Sequence, residues 1–235
     1  MIQALVVFDL EFTAWSDSMT GHWLAPGQFK EVVQIGAVRL DWESLAVTAS
    51  FNCLVRPRIN PVLSDYFQHL TGITNARLAD DGMDFKTAYR RFVAFVGDEM
   101  AGSFGHDEWV LDDNIRLYGL KDVPALPRFL ELRGWFARQG IDPKGLHSCD
   151  VGPLLGVPFQ GQMHDALCDA RSIAAGWRCC SNAARSYLFN YPAALPCQRA
   201  DARAREAGHS KRQEKLLGRF RHRQHLPQRI GDGAR

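Results

Sequence analysis

The chain has 235 residues, of which 46% are hydrophobic and 23% are charged, as is ordinary for a soluble globular protein with a sizeable core. No apolar run reaches the roughly 18 residues that a membrane-spanning helix requires. The net charge of +2 conceals an asymmetry, because residues 199–235 hold eleven Lys and Arg against four Asp and Glu, which leaves −5 on the rest of the chain. An acidic body with a basic tail is typical of proteins with nucleic-acid partners.

Strand-like segments come first along the chain, and helical segments then alternate with a short strand. This order favours a mixed α/β sheet flanked by helices. Residues 16–28 are rich in Gly, Pro and Ser and predict a loop. The predicted strands are 4–12, 31–41, 46–55 and the short segment 101–105, and the predicted helices are 64–70, 84–96, 109–118, 129–138 and 165–184.

The apolar periodicity fades after Pro192, which divides the chain into a folded domain at 1–192 and a basic tail at 193–235. The tail is expected to be an exposed helix or disordered. It could gather phosphates near the domain through counterion release, or it could serve only to keep the protein in solution.

The six cysteines form no C-x-x-C pair, and only Cys179 and Cys180 are close together in sequence. Zinc sites and disulfide frameworks both need cysteines at characteristic spacings. We expect no secretory leader, because Met1 leads directly into the first predicted strand. We therefore expect free thiols, no structural zinc site and a cytoplasmic location.

Two carboxylates, Asp9 and Glu11, stand two residues apart at the end of the first predicted strand. The alternation of a strand places both on one face, where two nearby negative charges raise each other's pKa. A divalent cation would remove that cost, since hard cations prefer carboxylate oxygens. The alternative is a strand that ends in solvent with two surface acids.

A second polar group lies near residue 164, where His164 and Asp169 are five positions apart. On one continuous helix they would point about 140° apart. They converge only if His164 lies in the loop before the helix, with Asp165 as the N-cap. The alternative is that Asp165 caps the helix, Asp169 is solvated and His164 is a surface residue.

A third acid, Asp107, follows the short strand at 101–105 and precedes a predicted helix. It is either a functional carboxylate or the N-cap of that helix. His106 and Glu108 are close enough in sequence to be rivals for any functional role.

These three groups in this order resemble the DEDDh branch of the DnaQ-like exonuclease superfamily. That branch has Asp-x-Glu on its first strand, a middle Asp at a strand-to-helix junction and His-x(4)-Asp near its end. Asp9 and Glu11 match the first motif, Asp107 the second, and the stretch from His164 to Arg171 the third.

Residues 31–38 and 55–74 also look like the corresponding segments of the Eri-like and KapD-like subgroup, many of whose members trim RNA. The resemblance covers roughly residues 1–185. The spacing from Ser103 to Asp107 is one residue shorter than in many Eri-like members, so Glu108 stays a rival for the middle position.

The resemblance implies a three-layer α/β fold of the ribonuclease H-like kind, with a mixed five-stranded sheet between helices. It implies a 3′→5′ exonuclease that releases 5′-mononucleotides with the help of two Mg²⁺ or Mn²⁺ ions. In such a site Asp9, Glu11, Asp107 and Asp169 hold the metals, and His164 is the general base. A base with a pKa near 6.5 is mostly neutral at working pH and can accept the proton of the attacking water.

The terminal nucleotide needs a pocket that stacks on its base and contacts its sugar. Phe12 and Phe67 are candidates for stacking, with core packing as the alternative for each. The complete set of expected substrate-binding residues is Leu10, Phe12, Thr13, Phe67, Leu70, Thr71, Gly72 and Ile73.

The expected partner is a single-stranded 3′ end of RNA or DNA, with no membrane association; the sequence identifies no protein partner. Two rival functions stay open, a proofreading or repair exonuclease that acts on DNA and a binding module that holds nucleic-acid ends without cleaving them. The second has no use for His164, which argues against it.

Overall fold

A computed structural model describes residues 2–126 and 128–180 of the chain. Its centre is a five-stranded sheet in the order β3-β2-β1-β4-β5. Strands β1, β2 and β3 are antiparallel neighbours, whereas β4 and β5 run parallel to β1. The strands are β1 (Ala4–Phe12), β2 (Val32–Asp41), β3 (Val47–Leu54), β4 (Met100–Ser103) and β5 (Phe129–Glu131).

The helices connect the strands and cover the sheet. Most of the long ones begin at a polar N-cap, since Asp84 and Asp165 each accept a backbone N–H of the first helical turn. The helices are α1 (Ser18–Gly21), α2 (Asp65–Thr71), α3 (Asn75–Asp81), α4 (Phe85–Val96), α5 (Asp107–Leu117), α6 (Leu132–Arg138), a 3₁₀ helix (Ser148–Asp150), α7 (Val151–Leu154) and α8 (Ala166–Cys179).

Apolar side chains fill both sides of the sheet, so the fold has three layers. On one face Leu5 and Val7 of β1 pack with Trp135 of α6 and Trp177 of α8. On the other face Phe8 packs with side chains of α4 and α5. A smaller cluster, which includes Phe67 of α2 and Leu78 of α3, lies beyond the end of β1. The predicted three-layer α/β fold with a mixed five-stranded sheet is confirmed.

The prediction of a helix at 129–138 is wrong in its first three residues, because Phe129–Glu131 forms strand β5 beside β4. Glu131 then caps α6 by accepting the backbone N–H groups of Arg133 and Gly134. Three short elements were not predicted, namely α3, the 3₁₀ helix and α7. The predicted loop at 16–28 contains the short α1. Helix α5 begins at Asp107, two residues before the predicted start.

The five cysteines within the described ranges are free thiols, as expected. In the same part of the chain, no helix combines the length and the apolar character needed to cross a membrane. The basic tail at 193–235 lies outside the described residues, and the proposed cytoplasmic location stays a prediction.

Candidate active site

The face of β1 that packs against the core continues into the site. Leu5 and Val7 lie in the apolar layer shared with α8, and Asp9 and Glu11 continue the same face two and four residues later. Both acids are buried, with 7% and 8% of their surfaces exposed. The alternative of two solvated acids at a strand end is therefore excluded.

The third motif reaches this face because the chain turns sharply before α8. His164 has a φ of 60°, in the left-handed region that is uncommon for residues other than glycine. Helix α8 starts only at Ala166, with Asp165 as its N-cap, so His164 precedes the helix and Asp169 lies in its first turn and a half. The expected cap role of Asp165 is observed, but Asp169 is 3% exposed rather than solvated.

Two residues of β2 fasten the start of α8 to the sheet. Gly36 pairs with Asp9 across the strands, and a side chain there would collide with the backbone of Ala166 and Leu167. Gln34 pairs with Glu11; its side-chain amide donates to the Asp165 carboxylate, and its carbonyl oxygen accepts the Ala166 N–H. These contacts set the distance between the acids of β1 and those of α8.

Asp107 reaches the site because β4 runs parallel to β1, so the chain leaves both strands at the same edge of the sheet. It is the first residue of α5; His106 occupies the N-cap position. Its carboxyl group lies close enough to Asp9 for the two charges to interact. One oxygen of Glu108 accepts a hydrogen bond from His106 at 3.0 Å, and its other oxygen is buried without a partner among the described residues. Asp107, and not Glu108, is among the charges that raise the pKa of Glu11, which favours Asp107 as the middle acid.

The four acids disfavour one another's ionisation. Burial raises the pKa of Asp9 to about 7, although a hydrogen bond from Ser148 opposes the rise. Burial and the charge of Asp9 raise the pKa of Asp169 to about 8. The pKa values of Glu11 and Asp107 are raised well above their ordinary values, first by burial and then by Asp9. These pKa values stay raised although Lys30 opposes the rise at Asp107, so the positive charge near the cluster does not compensate for its four carboxylates.

A divalent cation fits this cluster. Ligand atoms of Glu11, His164 and Asp169 all lie within 4.8 Å of one another. The Oδ1 atom of Asp169 is buried without a hydrogen-bond partner among the described residues, which leaves it available as a ligand. Asp9 and Asp107 are not members of this close trio but interact electrostatically with it. Carboxylate oxygens suit Mg²⁺ or Mn²⁺.

Two further residues at the site carry no motif that the sequence analysis could detect. Ser148 of the 3₁₀ helix donates its hydroxyl hydrogen to Oδ1 of Asp9 at 2.7 Å. The His147 ring lies edge-on to the His164 ring, with 6.2 Å between centroids. Burial and His147 together lower the pKa of His164, so its neutral form is favoured. Ser148 and Asp9 are 139 residues apart in sequence, so their contact leaves no local sequence pattern.

A family model described as an exonuclease, RNase_T, matches residues 6–175.

This chain belongs to that exonuclease family.

Two curated relatives are similar over most of this chain. The exonuclease is 27% identical over 198 residues to ERI1 exoribonuclease 2 of Xenopus laevis, across 72% of this chain and 27% of that protein. It is 29% identical over 196 residues to the protein of the same name in Danio rerio, across 72% of this chain and 33% of that protein. The chain thus spans about a third or less of the length of these relatives.

A solved structure agrees in fold. The nuclease domain of 3′hExo, a DEDDh family member bound to rAMP, superimposes with a TM-score of 0.65 at 21% identity, across 79% of this chain and 93% of that one. The predicted membership in an exonuclease family is confirmed by the family model, and the fold agrees with that of this DEDDh nuclease domain.

The residues expected to bind substrate fall into two groups in this exonuclease. Phe12 and Leu70 are half-buried and Gly72 is exposed, next to the side chain of Gln162 in the loop that leads to His164. The others have buried side chains. Leu10 faces the layer opposite the acids, Thr13 and Thr71 are hydrogen-bonded to backbone groups, and Phe67 and Ile73 belong to the smaller apolar cluster.

Proposed function

We propose that the protein is a metal-dependent exonuclease that removes nucleotides from single-stranded 3′ ends and releases 5′-mononucleotides. The observation that carries this proposal is the convergence of a buried acidic strand face, the start of α8 and the start of α5 on one site. The four acids there are Asp9, Glu11, Asp107 and Asp169. Holding three buried carboxylates and the half-buried Asp107 together is unfavourable unless cations bind, so the cluster is expected to serve metal binding rather than stability.

The proposed metal ligands are the four carboxylates, including the Oδ1 atom of Asp169, which is buried without a hydrogen-bond partner among the described residues. When bound, two Mg²⁺ or Mn²⁺ ions would make a water molecule more acidic and stabilise negative charge on the leaving oxygen. Gln34 and Gly36 hold α8 against β2, and Ser148 fixes one oxygen of Asp9. These contacts hold the proposed ligands of β1 and α8 in position relative to one another.

His164 is the proposed general base. Water attacks the scissile phosphorus, its proton passes to the imidazole, and the bond from phosphorus to the 3′ oxygen of the preceding nucleotide breaks. Because burial and His147 lower the pKa of His164, the ring is ready to accept a proton at neutral pH. Its ligand nitrogen lies within 4.8 Å of carboxylate oxygens of Glu11 and Asp169, which is near enough to act on a water held between them.

RNA is the proposed substrate, because the curated relatives are named exoribonucleases. Phe12 and Leu70 are the residues best placed to contact the terminal nucleotide, since their side chains are only half-buried. The rivals are a DNA proofreading or repair exonuclease and a module that binds nucleic-acid ends without cleaving them.

The test compares matched single-stranded RNA, single-stranded DNA and both duplexes, each with Mg²⁺ and with Mn²⁺. We expect metal-dependent shortening with single-stranded RNA the fastest substrate. Faster cleavage of DNA would favour the repair alternative. Binding of RNA ends without any shortening, in wild type and in Asp9→Ala alike, would favour the binding module and contradict the proposal.

A further inference from the structure

The edge of the site beside Asp107 carries a lysine held against aromatic rings. The Nζ atom of Lys30 lies 5.4 Å from the ring centroid of Phe12 and 4.7 Å from that of Trp23. Both distances fall within the range of a cation–π interaction. The two rings are themselves in contact, with 5.5 Å between centroids, so they form one surface beneath the ammonium group.

This aromatic surface is fixed rather than adaptable. Trp23 is 6% exposed, and its indole N–H donates to the backbone oxygen of Thr13 at 2.7 Å. Thr13 in turn holds the segment before β2, because its hydroxyl donates to Phe29 O and accepts the Glu31 N–H. The ring surface thus has a defined place directly after the acidic end of β1.

The backbone of Lys30 is fixed from a second direction by α5. The side-chain amide of Asn114 donates to the backbone oxygen of Lys30 at 2.7 Å, and its carbonyl oxygen accepts the Val32 N–H at 3.0 Å. Asn114 lies two helical turns after Asp107 on the same helix. Helix α5 therefore links the backbone position of Lys30 to Asp107, the middle acid of the site.

The ring beneath Lys30 lies directly beside the acidic face of β1, because Phe12 is the residue that follows Glu11 at the end of that strand. The charge of Lys30 is also close enough to Asp107 to interact with it. A phosphate that approaches four carboxylates is repelled until positive charge is present. An ammonium group held over a half-buried aromatic ring at the end of β1 provides both a phosphate contact and, beside it, a surface for an adjacent base.

We propose that Lys30 is a substrate-binding residue whose ammonium group contacts a phosphate of the nucleic-acid strand as it enters the site beside Asp107. The inference rests on the proposed function and adds a residue that none of the catalytic motifs contains. The structural alternative is that the lysine stem only covers Phe12 and Trp23.

Substitutions at Lys30 separate these roles. Lys30→Met keeps an unbranched stem over the rings and removes the charge, whereas Lys30→Arg keeps the charge. Lys121→Met is the matched control, because this exposed lysine lies four residues beyond the far end of α5, and that end is about 15 Å along the helix axis from Asp107. Each change is made in the full chain with His164→Asn, so that a bound strand stays intact.

The measurement is the Kd of a short single-stranded RNA with a fluorescent 5′ label, by anisotropy with Mg²⁺, between about 50 and 200 mM salt. We expect Lys30→Met to weaken binding about tenfold, as for the loss of one charged hydrogen bond. The slope of log Kd against log salt should become shallower by about 0.7, as for one lost phosphate contact on a single strand. Lys30→Arg should retain the slope, and Lys121→Met should match the parent.

An unchanged Kd and slope in Lys30→Met, or an equal loss in Lys30→Arg and Lys30→Met, would overturn the inference. Failure of the proposed function is distinguishable from this. If the wild type binds RNA without shortening it, the exonuclease proposal fails while the Lys30 result still stands on the binding data. If the wild type shortens RNA and Lys30→Met binds like its parent, only the inference about Lys30 fails. If the wild type neither binds nor shortens RNA, both fail.

Discussion

Gly36→Ala tests whether the close contact between β2 and α8 sets the geometry of the site. A Cβ at Gly36 would lie 2.1 Å from the backbone nitrogen of Leu167 and 2.2 Å from the carbonyl carbon of Ala166. These are backbone atoms that no side-chain rotation can move. Ordinary contact begins at 3.4 Å, so the strand and the helix must separate by about 1.3 Å. That displacement carries His164 and Asp169 away from β1.

Two magnitudes follow from this separation. Displacement of catalytic groups by about 1 Å costs roughly a hundredfold in rate, so kcat should fall at least that far. Overpacking of this kind costs about 1–3 kcal/mol in the free energy of unfolding, which urea titration can measure. The assay is shortening of an end-labelled strand at saturating substrate, with Mg²⁺.

Gly21→Ala is the matched control. Gly21 has no atom within 4 Å of the position of an added Cβ, and its φ is not in the left-handed region. Its kcat should equal that of the wild type, and its stability should change by less than about 0.5 kcal/mol. A folded Gly36→Ala protein with wild-type kcat would refute the reasoning, because the helix start would then not depend on this contact.

Because burial raises the pKa of Asp169 to about 8 in the folded protein, stability that is fully present at low pH should be lost as pH rises to that value. The melting temperature without metal should therefore fall between about pH 4 and pH 8. Asp169→Asn should make this fall in melting temperature smaller. Mg²⁺ should raise the melting temperature more at the high end of this pH range than at the low end, and an equal rise at both ends would contradict the account. Asparagine tolerates the left-handed backbone at position 164. His164→Asn should therefore lower kcat by roughly 10²–10⁴, while Mg²⁺ still raises the melting temperature of the variant. The wild-type rate should rise with pH through an apparent pKa below about 6.5, because burial lowers the pKa of the imidazole, and a flat profile would remove it from the mechanism. Asp107→Asn should damage kcat far more than Glu108→Gln, and the reverse ranking would move the middle ligand by one residue. Ser148→Ala removes a hydrogen bond from a proposed ligand and should weaken Mn²⁺ affinity about tenfold, as titration calorimetry would show.

Local patterns predicted the parts of the fold whose residues carry their own signal. The bounds of β1 are Ala4–Phe12, as predicted, because a continuous apolar run is the mark of a strand buried on both faces. Helix α4 occupies all but the first residue of the predicted helix at 84–96, because its apolar residues recur at helical spacing. In both segments local preference and tertiary packing favour the same structure.

Segments with weak local signals were missed or misassigned. Helix α3 buries only Leu78, so it shows no apolar periodicity from which to predict it. Strand β5 has three residues, too few for alternation to be visible, and it is a strand because β4 offers it hydrogen-bonding partners. Such elements are decided by neighbours that are distant in sequence.

The site was predictable to the extent that its residues stand in short motifs. Strand alternation alone placed Asp9 and Glu11 on one face, and the need for His164 to precede its helix followed from the angle between residues five apart. The contacts of Ser148 and Gln34 join segments 139 and 131 residues apart, so only the folded chain brings them to the site.

The most direct test of the central account follows one RNA strand labelled at its 3′ end and the same strand labelled at its 5′ end, with Mg²⁺. The account predicts that the 3′ label is released at once as a 5′-mononucleotide, while the 5′-labelled strand shortens one nucleotide at a time. Chelation of Mg²⁺ or Asp9→Ala should abolish both, with a loss of at least about a thousandfold. Early release of the 5′ label, or shortening that persists in Asp9→Ala, would contradict the account.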